Sequence, residues 1–274
     1  MERPFPKNRL VVLFTLIFVV SLVWDVYLYT LPSHTLMANY WFNVVYALSP
    51  LTCGLLLLYY VFRRSLGGEI SSALGYLGTA ATAFGLGLYF WSYYNIIQHV
   101  PIPHPSVGDA FFLIYPWLLV VGTLRLLKFY TPQLKWTVLL EALVVFFIAA
   151  VPIYHYFIVP SLSVNPTFLD NLIIFDTLIA NAVVLGVVYL LWRIGGGRLR
   201  LVLSVYSGSY LTLSAAQFIF QYQTDNGTYW NGDITDTLLL VHLYLFALAS
   251  VYMLDSILNP AVPGIAAQPS PNKY

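Results

Sequence analysis

The amino-acid sequence contains eight apolar stretches, each long enough to cross the hydrocarbon core of a membrane. A membrane-spanning helix needs about 20 mostly apolar residues. The stretches are approximately 10–31, 38–62, 70–98, 108–130, 136–159, 170–193, 199–222 and 235–256. Their apolar residues run continuously rather than alternating, and an open sheet cannot satisfy its backbone hydrogen bonds in lipid. We therefore predict an all-α integral membrane protein with eight transmembrane helices.

The composition excludes a soluble fold. Hydrophobic residues make up 59% of the chain and charged residues 8%, whereas soluble domains average roughly 45–50% and about 25%. The lipid bilayer is the partner that this composition predicts, and no nucleic-acid partner is expected. The single cysteine, Cys53, lies within an apolar stretch and cannot form an intrachain disulfide.

The basic residues predict the orientation of the chain in the membrane. If the chain crosses eight times, all 12 lysine and arginine residues fall on one side. Cytoplasmic loops of membrane proteins are enriched in lysine and arginine. We therefore predict a multi-pass protein of the cell membrane with both termini in the cytoplasm.

The second half of the sequence repeats the outline of the first half. When Asp109 is aligned with Asp236, 127 positions further on, Tyr115 aligns with His242. This pattern predicts two parallel four-helix repeats, related by an axis along the membrane normal. The first half is then 1–130 and the second is 131–257, and 258–274 is expected to be a short, disordered cytoplasmic tail.

Several acidic residues lie near the outer ends of the predicted helices. Asp25 and Asp176 are expected inside the first and sixth spans. A carboxylate within a membrane is costly and usually faces the bundle interior or a water-filled cavity. Asp109 and Asp236 come at the starts of helices, where a carboxylate can also serve as a cap. Each acid therefore has a structural as well as a functional interpretation.

Aromatic residues are dense at the same outer ends, including Trp91 and Tyr94 at the end of the third span and Phe220 at the end of the seventh. An aromatic belt at the membrane interface is one interpretation. The other is an aromatic-walled pocket that opens outward, since small-molecule sites combine apolar walls with a few polar groups. Its floor is predicted to consist of Asp25, Asp176 and His242. The candidate ligand-binding residues are Asp25, Tyr94, Asp109, Tyr115, Asp176, Asp236 and His242.

Sequence motifs for catalysis or for cofactor binding are absent. The chain has no HExxH, CxxC or GxSxG motif, no glycine-rich phosphate loop and no mid-membrane lysine for a Schiff base. Ligation of haem by His155 and His242, or by His99 with either of them, is an open alternative, although the spacing of these histidines in the sequence does not support it. An outer zinc site stays open in the same way, although paired histidines at helical spacing are absent. No catalytic residue, metal ligand or cofactor is therefore assigned, and enzymatic activity is left undecided.

The stretch from His104 to Pro116, HPSVGDAFFLIYP, resembles the P-S-x-x-D-x-x-Y-L-x-x-Y-P pattern of multi-span input domains in bacterial signalling proteins. Such domains commonly precede GGDEF-type diguanylate cyclase or histidine kinase modules. Phe112 departs from the tyrosine of the pattern, while Glu141 and Asp176 extend the likeness more loosely. The resemblance implies a sensory role. Because 258–274 is too short for an output domain, a protein partner is expected to transmit the signal.

We accordingly predict a membrane-embedded sensory or ligand-binding module with an outward-facing aromatic and acidic pocket. Its ligand is expected to be a hydrophobic or lipid-like small molecule. The alternative is a membrane enzyme or carrier that acts on a lipid-like or polyprenyl substrate at the outer leaflet, with the same acids and His242. A transporter is a third interpretation, but Glu141 is the single deep acid on the cytoplasmic side and leaves no obvious relay.

Overall fold

The computed structural model describes residues 5–64, 66–103, 105–131, 133, 135–160, 167–195 and 200–259. Within these ranges every regular element is helical and none is a strand, which confirms the all-α prediction. The helices are α1 (Lys7–Leu28), α2 (Met37–Tyr46), α3 (Leu48–Arg64), α4 (Gly68–Ser92), α5 (Val107–Tyr130), α6 (Trp136–Ile153), α7 (Phe168–Ile194), α8 (Arg200–Asp225) and α9 (Ile234–Leu258). Short π-helical turns, Tyr93–Ile97 and Tyr154–Ile158, extend α4 and α6. Most of the predicted tail, 260–274, lies outside the described residues.

Seven helical segments of the described chain are long and apolar enough to cross a membrane. They are Lys7–Leu28, Met37–Arg63, Gly68–Ile97, Val107–Tyr130, Trp136–Ile158, Asn171–Ile194 and Ile234–Leu258. The multi-pass character is thereby confirmed. Helix α8 has 26 residues but stays outside this set, because serine, threonine and glutamine side chains interrupt its apolar run. A total of eight crossings therefore remains a prediction.

The predicted second span, 38–62, consists of two helices, α2 and α3, that meet at Ala47. Pro50 has no backbone N–H, so the carbonyl of Tyr46 loses the partner that a continuous helix would supply. The neighbouring bonds persist: Ala47 N–H donates to Asn43, and Leu51 N–H donates to Ala47, both at 3.2 Å. The proline therefore divides the span without redirecting the chain.

Ion pairs join the starts of some helices to the ends of others at one end of the bundle, the basic end. The pairs are Lys7–Asp255, Arg125–Glu69, Lys128–Glu69 and Arg193–Glu141, with N–O distances of 2.7, 3.0, 2.6 and 3.2 Å. They connect α1 to α9, α4 to α5 and α6 to α7. Since each pair joins the beginning of one helix to the end of another, α5 and α9 begin at the opposite end.

Helices α3 and α4 approach closely through glycine. A Cβ atom built on Gly54 would lie 2.6 Å from the carbonyl oxygen of Gly78 and would also collide with the Thr82 hydroxyl. In lipid, no hydrophobic force draws apolar helices together, so close backbone packing stabilises their contact. Gly75, on α4, has no atom within 4 Å of such a Cβ.

We predict that Gly54→Ala destabilises the protein, whereas Gly75→Ala does not. Overpacking at Gly54 forces α3 and α4 apart and should cost about 1–3 kcal/mol. Thermal denaturation of both purified variants in the same detergent, followed by size-exclusion chromatography, measures the difference. Equal losses of stability at the two positions would contradict the packing described for α3 and α4.

Candidate functional site

A cavity of about 190 Å³ lies at the end of the bundle opposite the basic end. Its lining comes from the last turns of α4 and α8, the first turns of α5 and α9, and the first half of α7. Tyr46 of α2 and Tyr229 of the loop before α9 complete the described lining. Thr224 at the end of α8 lines the cavity and is exposed, so the cavity reaches the surface at that end.

The two sides of the cavity differ in chemistry. Helices α4 and α5 supply an aromatic wall, formed by Phe84, Leu88, Trp91 and Phe112. Helices α7 and α8 supply a polar wall, formed by Thr177, Asn181, Gln217, Gln221 and Thr224. The polar residues of α8 follow one another at intervals of four and three, which places them on one face of the helix.

Two glycines bring α4 and α5 together and thereby build the aromatic wall. A Cβ atom on Gly87 would lie 2.8 Å from the ring of Phe112, and one on Gly108 would lie 2.6 Å from the ring of Trp91. The Trp91 and Phe112 rings pack edge to face with centroids 4.8 Å apart. Trp91 Nε1 also donates to Ser106 Oγ at 3.2 Å, so a hydrogen bond holds the indole in place.

Asp109 forms part of a helix cap and of the cavity lining at once. Its Oδ2 accepts the Ser106 N–H at 2.6 Å, and Ser106 Oγ accepts the Asp109 N–H at 3.3 Å, which is a capping box. The structural interpretation of this acid is therefore correct. Asp109 is also buried and lines the cavity, so the functional interpretation remains available.

Asp236 lies in the cavity wall with an exposed fraction of 1%. Its Oδ2 accepts the Gly232 N–H at 2.7 Å, and its carboxylate accepts the hydroxyls of Tyr46 and Tyr229, each at 3.3 Å. Burial raises the pKa of Tyr229 well above its ordinary value, and the negative charge of Asp236 raises it further. Tyr229 consequently remains a protonated donor to the carboxylate. The cap of α9 is supplied by Asp233, which accepts the Thr235 N–H at 2.8 Å.

Tyr115 and His242, which the sequence repeat aligns, are in direct contact. The Tyr115 hydroxyl hydrogen-bonds to His242 Nε2, and His242 Nδ1 lies 2.8 Å from the carbonyl oxygen of Ser209. A carbonyl oxygen can only accept, so Nδ1 carries the proton and Nε2 accepts from the Tyr115 hydroxyl. Tyr115 lines the cavity, while His242 is fully buried behind it.

Four of the seven predicted ligand-binding residues meet at this cavity. Asp109, Tyr115 and Asp236 belong to its lining, and His242 supports Tyr115 from behind. The other three, Asp25, Tyr94 and Asp176, are not among the described lining residues. The predicted floor of Asp25, Asp176 and His242 is therefore not assembled in the structure.

Asp25 and Asp176 lie instead in contacts between helices. Asp25 is 1% exposed and accepts the Thr237 hydroxyl of α9 at 2.6 Å. Asp176 accepts Trp117 Nε1 of α5 at 3.2 Å and is partly exposed. Tyr94 lies in the π-helical turn after α4. The sequence predicted how deep each residue lies in the membrane, but not which neighbouring helix its side chain faces. These three side chains face away from the cavity.

Several lining residues were not predicted from the sequence. Gln217, Gln221 and Thr224 form a polar row on the least apolar long helix, and that row is a signal from which they could have been found. Tyr46 and Tyr229 come from distant parts of the chain and carry no comparable signal. They reach the cavity through their hydrogen bonds to Asp236.

The described residues contain no group of three or more histidine, cysteine, aspartate or glutamate side chains that could hold a metal ion. Both ring nitrogens of His242 are engaged by protein groups, Tyr115 and Ser209. Haem ligation by His242 would require the loss of its contact with Tyr115.

Comparisons with known proteins do not assign a function to the site. No protein-family model, no curated protein and no solved structure matches the chain.

We predict that Tyr115→Phe lowers stability by about 1–3 kcal/mol, because His242 Nε2 then remains buried without a donor. The matched control is Tyr94→Phe, whose hydroxyl makes no hydrogen bond within the described part of the chain. We expect this control to change stability by less than about 0.5 kcal/mol. Thermal denaturation in detergent compares the two, and an unchanged Tyr115→Phe variant would contradict the assigned network.

Proposed function

We propose that this protein is a membrane-embedded ligand-binding module of a sensory type, whose cavity opens at the outer face of the membrane. The observation that carries the proposal is the cavity itself, with an aromatic wall, a polar wall and the carboxylates of Asp109, Asp225 and Asp236 around a volume of about 190 Å³. Small-molecule sites combine a mainly apolar lining with a few placed polar groups. Close packing of helices in lipid does not require a cavity lined with polar and acidic side chains.

The distribution of charges supports the outward orientation. Basic side chains are paired at the end opposite the cavity, and lysine and arginine accumulate on the cytoplasmic side of membrane proteins. With α8 counted as an eighth crossing, the proposal has both termini in the cytoplasm and the cavity on the outside. The polarity of α8 suits this assignment, because the polar wall of the cavity lies on that helix.

Equivalent positions of the proposed halves, 1–130 and 131–257, support a duplication. Ser106 and Asp233, 127 positions apart, are the N-cap residues of α5 and α9. Three residues after each cap, Asp109 and Asp236 both bind a backbone N–H that precedes their helix. The two halves would then meet at the cavity, as in membrane proteins whose binding sites lie at a repeat interface.

Buried hydrogen bonds extend from the cavity toward the basic end and provide a means of sensing. Beyond Tyr115, His242 and Ser209, the hydroxyls of Thr123 and Tyr210 are 2.7 Å apart, and those of Tyr206 and Ser250 are 2.9 Å apart. They join α5 to α8 and α8 to α9. An occupant that displaces Tyr115 would alter these helix contacts, and a protein partner at the cytoplasmic face would respond.

The resemblance to bacterial input domains supports the same role. The residues on which the resemblance depends have defined structural roles in this protein. Ser106 and Asp109 form the cap of α5, and Tyr115 and Phe112 line the cavity. The likeness has a further departure, since one residue separates Leu113 from the Tyr115–Pro116 pair where the pattern has two.

The lipid-enzyme alternative has less support. A cavity of about 190 Å³ is below the roughly 300–1,000 Å³ of sites for drug-sized ligands, so a long polyprenyl chain would extend outside it. His242, which that alternative would use together with the acids, has both ring nitrogens engaged by protein groups.

A cavity-filling substitution tests the proposed function. Leu213, on α8, lines the cavity, whereas Leu211 on the same helix is 50% exposed at the bundle surface. We expect the wild-type protein, gently extracted from its own membrane, to retain a small molecule in native mass spectrometry. Leu213→Trp should lose this molecule because its indole fills the cavity, and Leu211→Trp should keep it.

A second filling variant, Gln217→Trp, guards against misfolding of Leu213→Trp, and thermal denaturation verifies the fold of each protein. An occupant that is retained by both folded filling variants would contradict the proposal. So would a wild-type protein that carries no small molecule under any gentle extraction.

A further inference from the structure

We infer that the cavity binds a neutral aromatic ring compound with an N–H or O–H group, which donates a hydrogen bond to Asn181. The inference rests on the proposed function, because it names the chemical class of the ligand in the same cavity. Three features support it: a buried acceptor without a partner, carboxylates that already have protein donors, and the geometry of the aromatic wall.

Asn181 places a buried hydrogen-bond acceptor in the cavity wall, about halfway along α7. Its exposed fraction is 1%. Its Nδ2 donates to the Thr177 carbonyl oxygen at 2.8 Å, and because a carbonyl oxygen only accepts, this bond fixes the orientation of the amide. The Oδ1 atom is then left without a donor. An acceptor that loses water on burial and gains no donor destabilises the protein, and a ligand N–H or O–H would remove this cost.

The acidic side chains of the lining differ from Asn181, because they have donors within the protein. The carboxylates of Asp109, Asp225 and Asp236 each accept a hydrogen bond from a backbone N–H or a side-chain amide. Among the buried side-chain atoms of the described lining, Asn181 Oδ1 is the acceptor without a partner. At this atom a charged group would exchange its hydration for a bond to a neutral amide, which is costly. A neutral donor is therefore favoured.

The aromatic wall suits a flat ring as the body of the ligand. The ring of Phe112 packs edge to face against those of Phe84 and Trp91, with centroid distances of 5.3 and 4.8 Å. Aromatic pairs in such arrangements are stabilised beyond the area that they bury, so a further ring gains from contact with this wall. A cavity of roughly 150 Å³ accepts benzene, and one of about 190 Å³ therefore holds a ring system somewhat larger than benzene.

Indole and benzofuran test the inference, because they have nearly the same size and shape and differ in one group. Indole has an N–H donor where benzofuran has an oxygen acceptor. Each is titrated into the purified wild-type protein in detergent and followed by isothermal titration calorimetry. We expect indole to bind about tenfold more tightly than benzofuran, because indole alone supplies a donor to Asn181 Oδ1. Occupation of the cavity is verified with Leu213→Trp, which should abolish binding of both probes.

Substitutions of Asn181 test whether this residue recognises the donor. Asn181→Leu removes the acceptor and should weaken indole binding about tenfold, to the level of benzofuran, because the hydrogen bond is lost. The affinity for benzofuran should stay unchanged, which also shows that the variant is folded and its cavity open. Asn181→Ala should give the same result, and it guards against a steric effect of the larger leucine side chain.

Asn171→Leu is the matched control for the Asn181 variants. The Oδ1 atom of Asn171 is also buried without a partner, and Asn171 lies on the same helix, α7. Asn171 is not among the described lining residues of the cavity. Its substitution should therefore leave the affinities for indole and benzofuran at their wild-type values.

The outcomes separate this inference from the proposed function. If benzofuran binds as tightly as indole and Leu213→Trp abolishes that binding, the cavity is a ligand site and the donor assignment is wrong. A preference for indole that persists in both Asn181→Leu and Asn181→Ala would also overturn the assignment. If neither probe binds but the extracted protein carries a small molecule that Leu213→Trp loses, this inference fails and the proposed function stands. If neither probe binds and the extracted protein carries no small molecule, both fail.

Discussion

The buried carboxylate of Asp236 is the interaction on which the cavity end of the bundle depends. Its exposed fraction is 1%, and its partners come from two distant parts of the chain: Tyr46 of α2, and Tyr229 and Gly232 of the loop before α9. Burial of a charge is costly unless hydrogen bonds compensate it. The requirement to satisfy this one group therefore brings these segments together at one side of the cavity.

The polarity of α8 has a related cause. Its serine, threonine and glutamine side chains reduce its hydropathy, yet many of them are buried within the bundle. Ser209 binds His242, and Gln217 and Gln221 face the cavity. Lipid supplies no hydrogen bonds, so polar side chains in a span must find partners in protein or in an enclosed space. The least apolar helix accordingly lies where polar groups can be satisfied.

The sequence predicted the positions of the helices along the chain much better than the rotation of each helix about its own axis, which determines the neighbours that its side chains face. Apolar stretches of about 20 residues located the helices, and Asp109 was correctly placed at a helix start. The division at Ala47 escaped prediction, because one proline within an apolar run does not reveal whether a span continues. Asp25 and Asp176 were given approximate depths, but a depth does not state which helix a side chain faces. Tyr115 and His242 were paired by alignment, and only the folded chain shows that they touch.

The most direct test of an outward-opening cavity is chemical modification of Gln217→Cys in intact cells. The reagent is a small, positively charged methanethiosulfonate that cannot cross membranes. The native Cys53 is fully buried, so the wild-type protein serves as the unreactive control, and Leu211→Cys is the lipid-facing control on the same helix. We predict modification of Gln217→Cys from the outside and of neither control. Modification only from the cytoplasmic side, in inverted vesicles, would contradict the account.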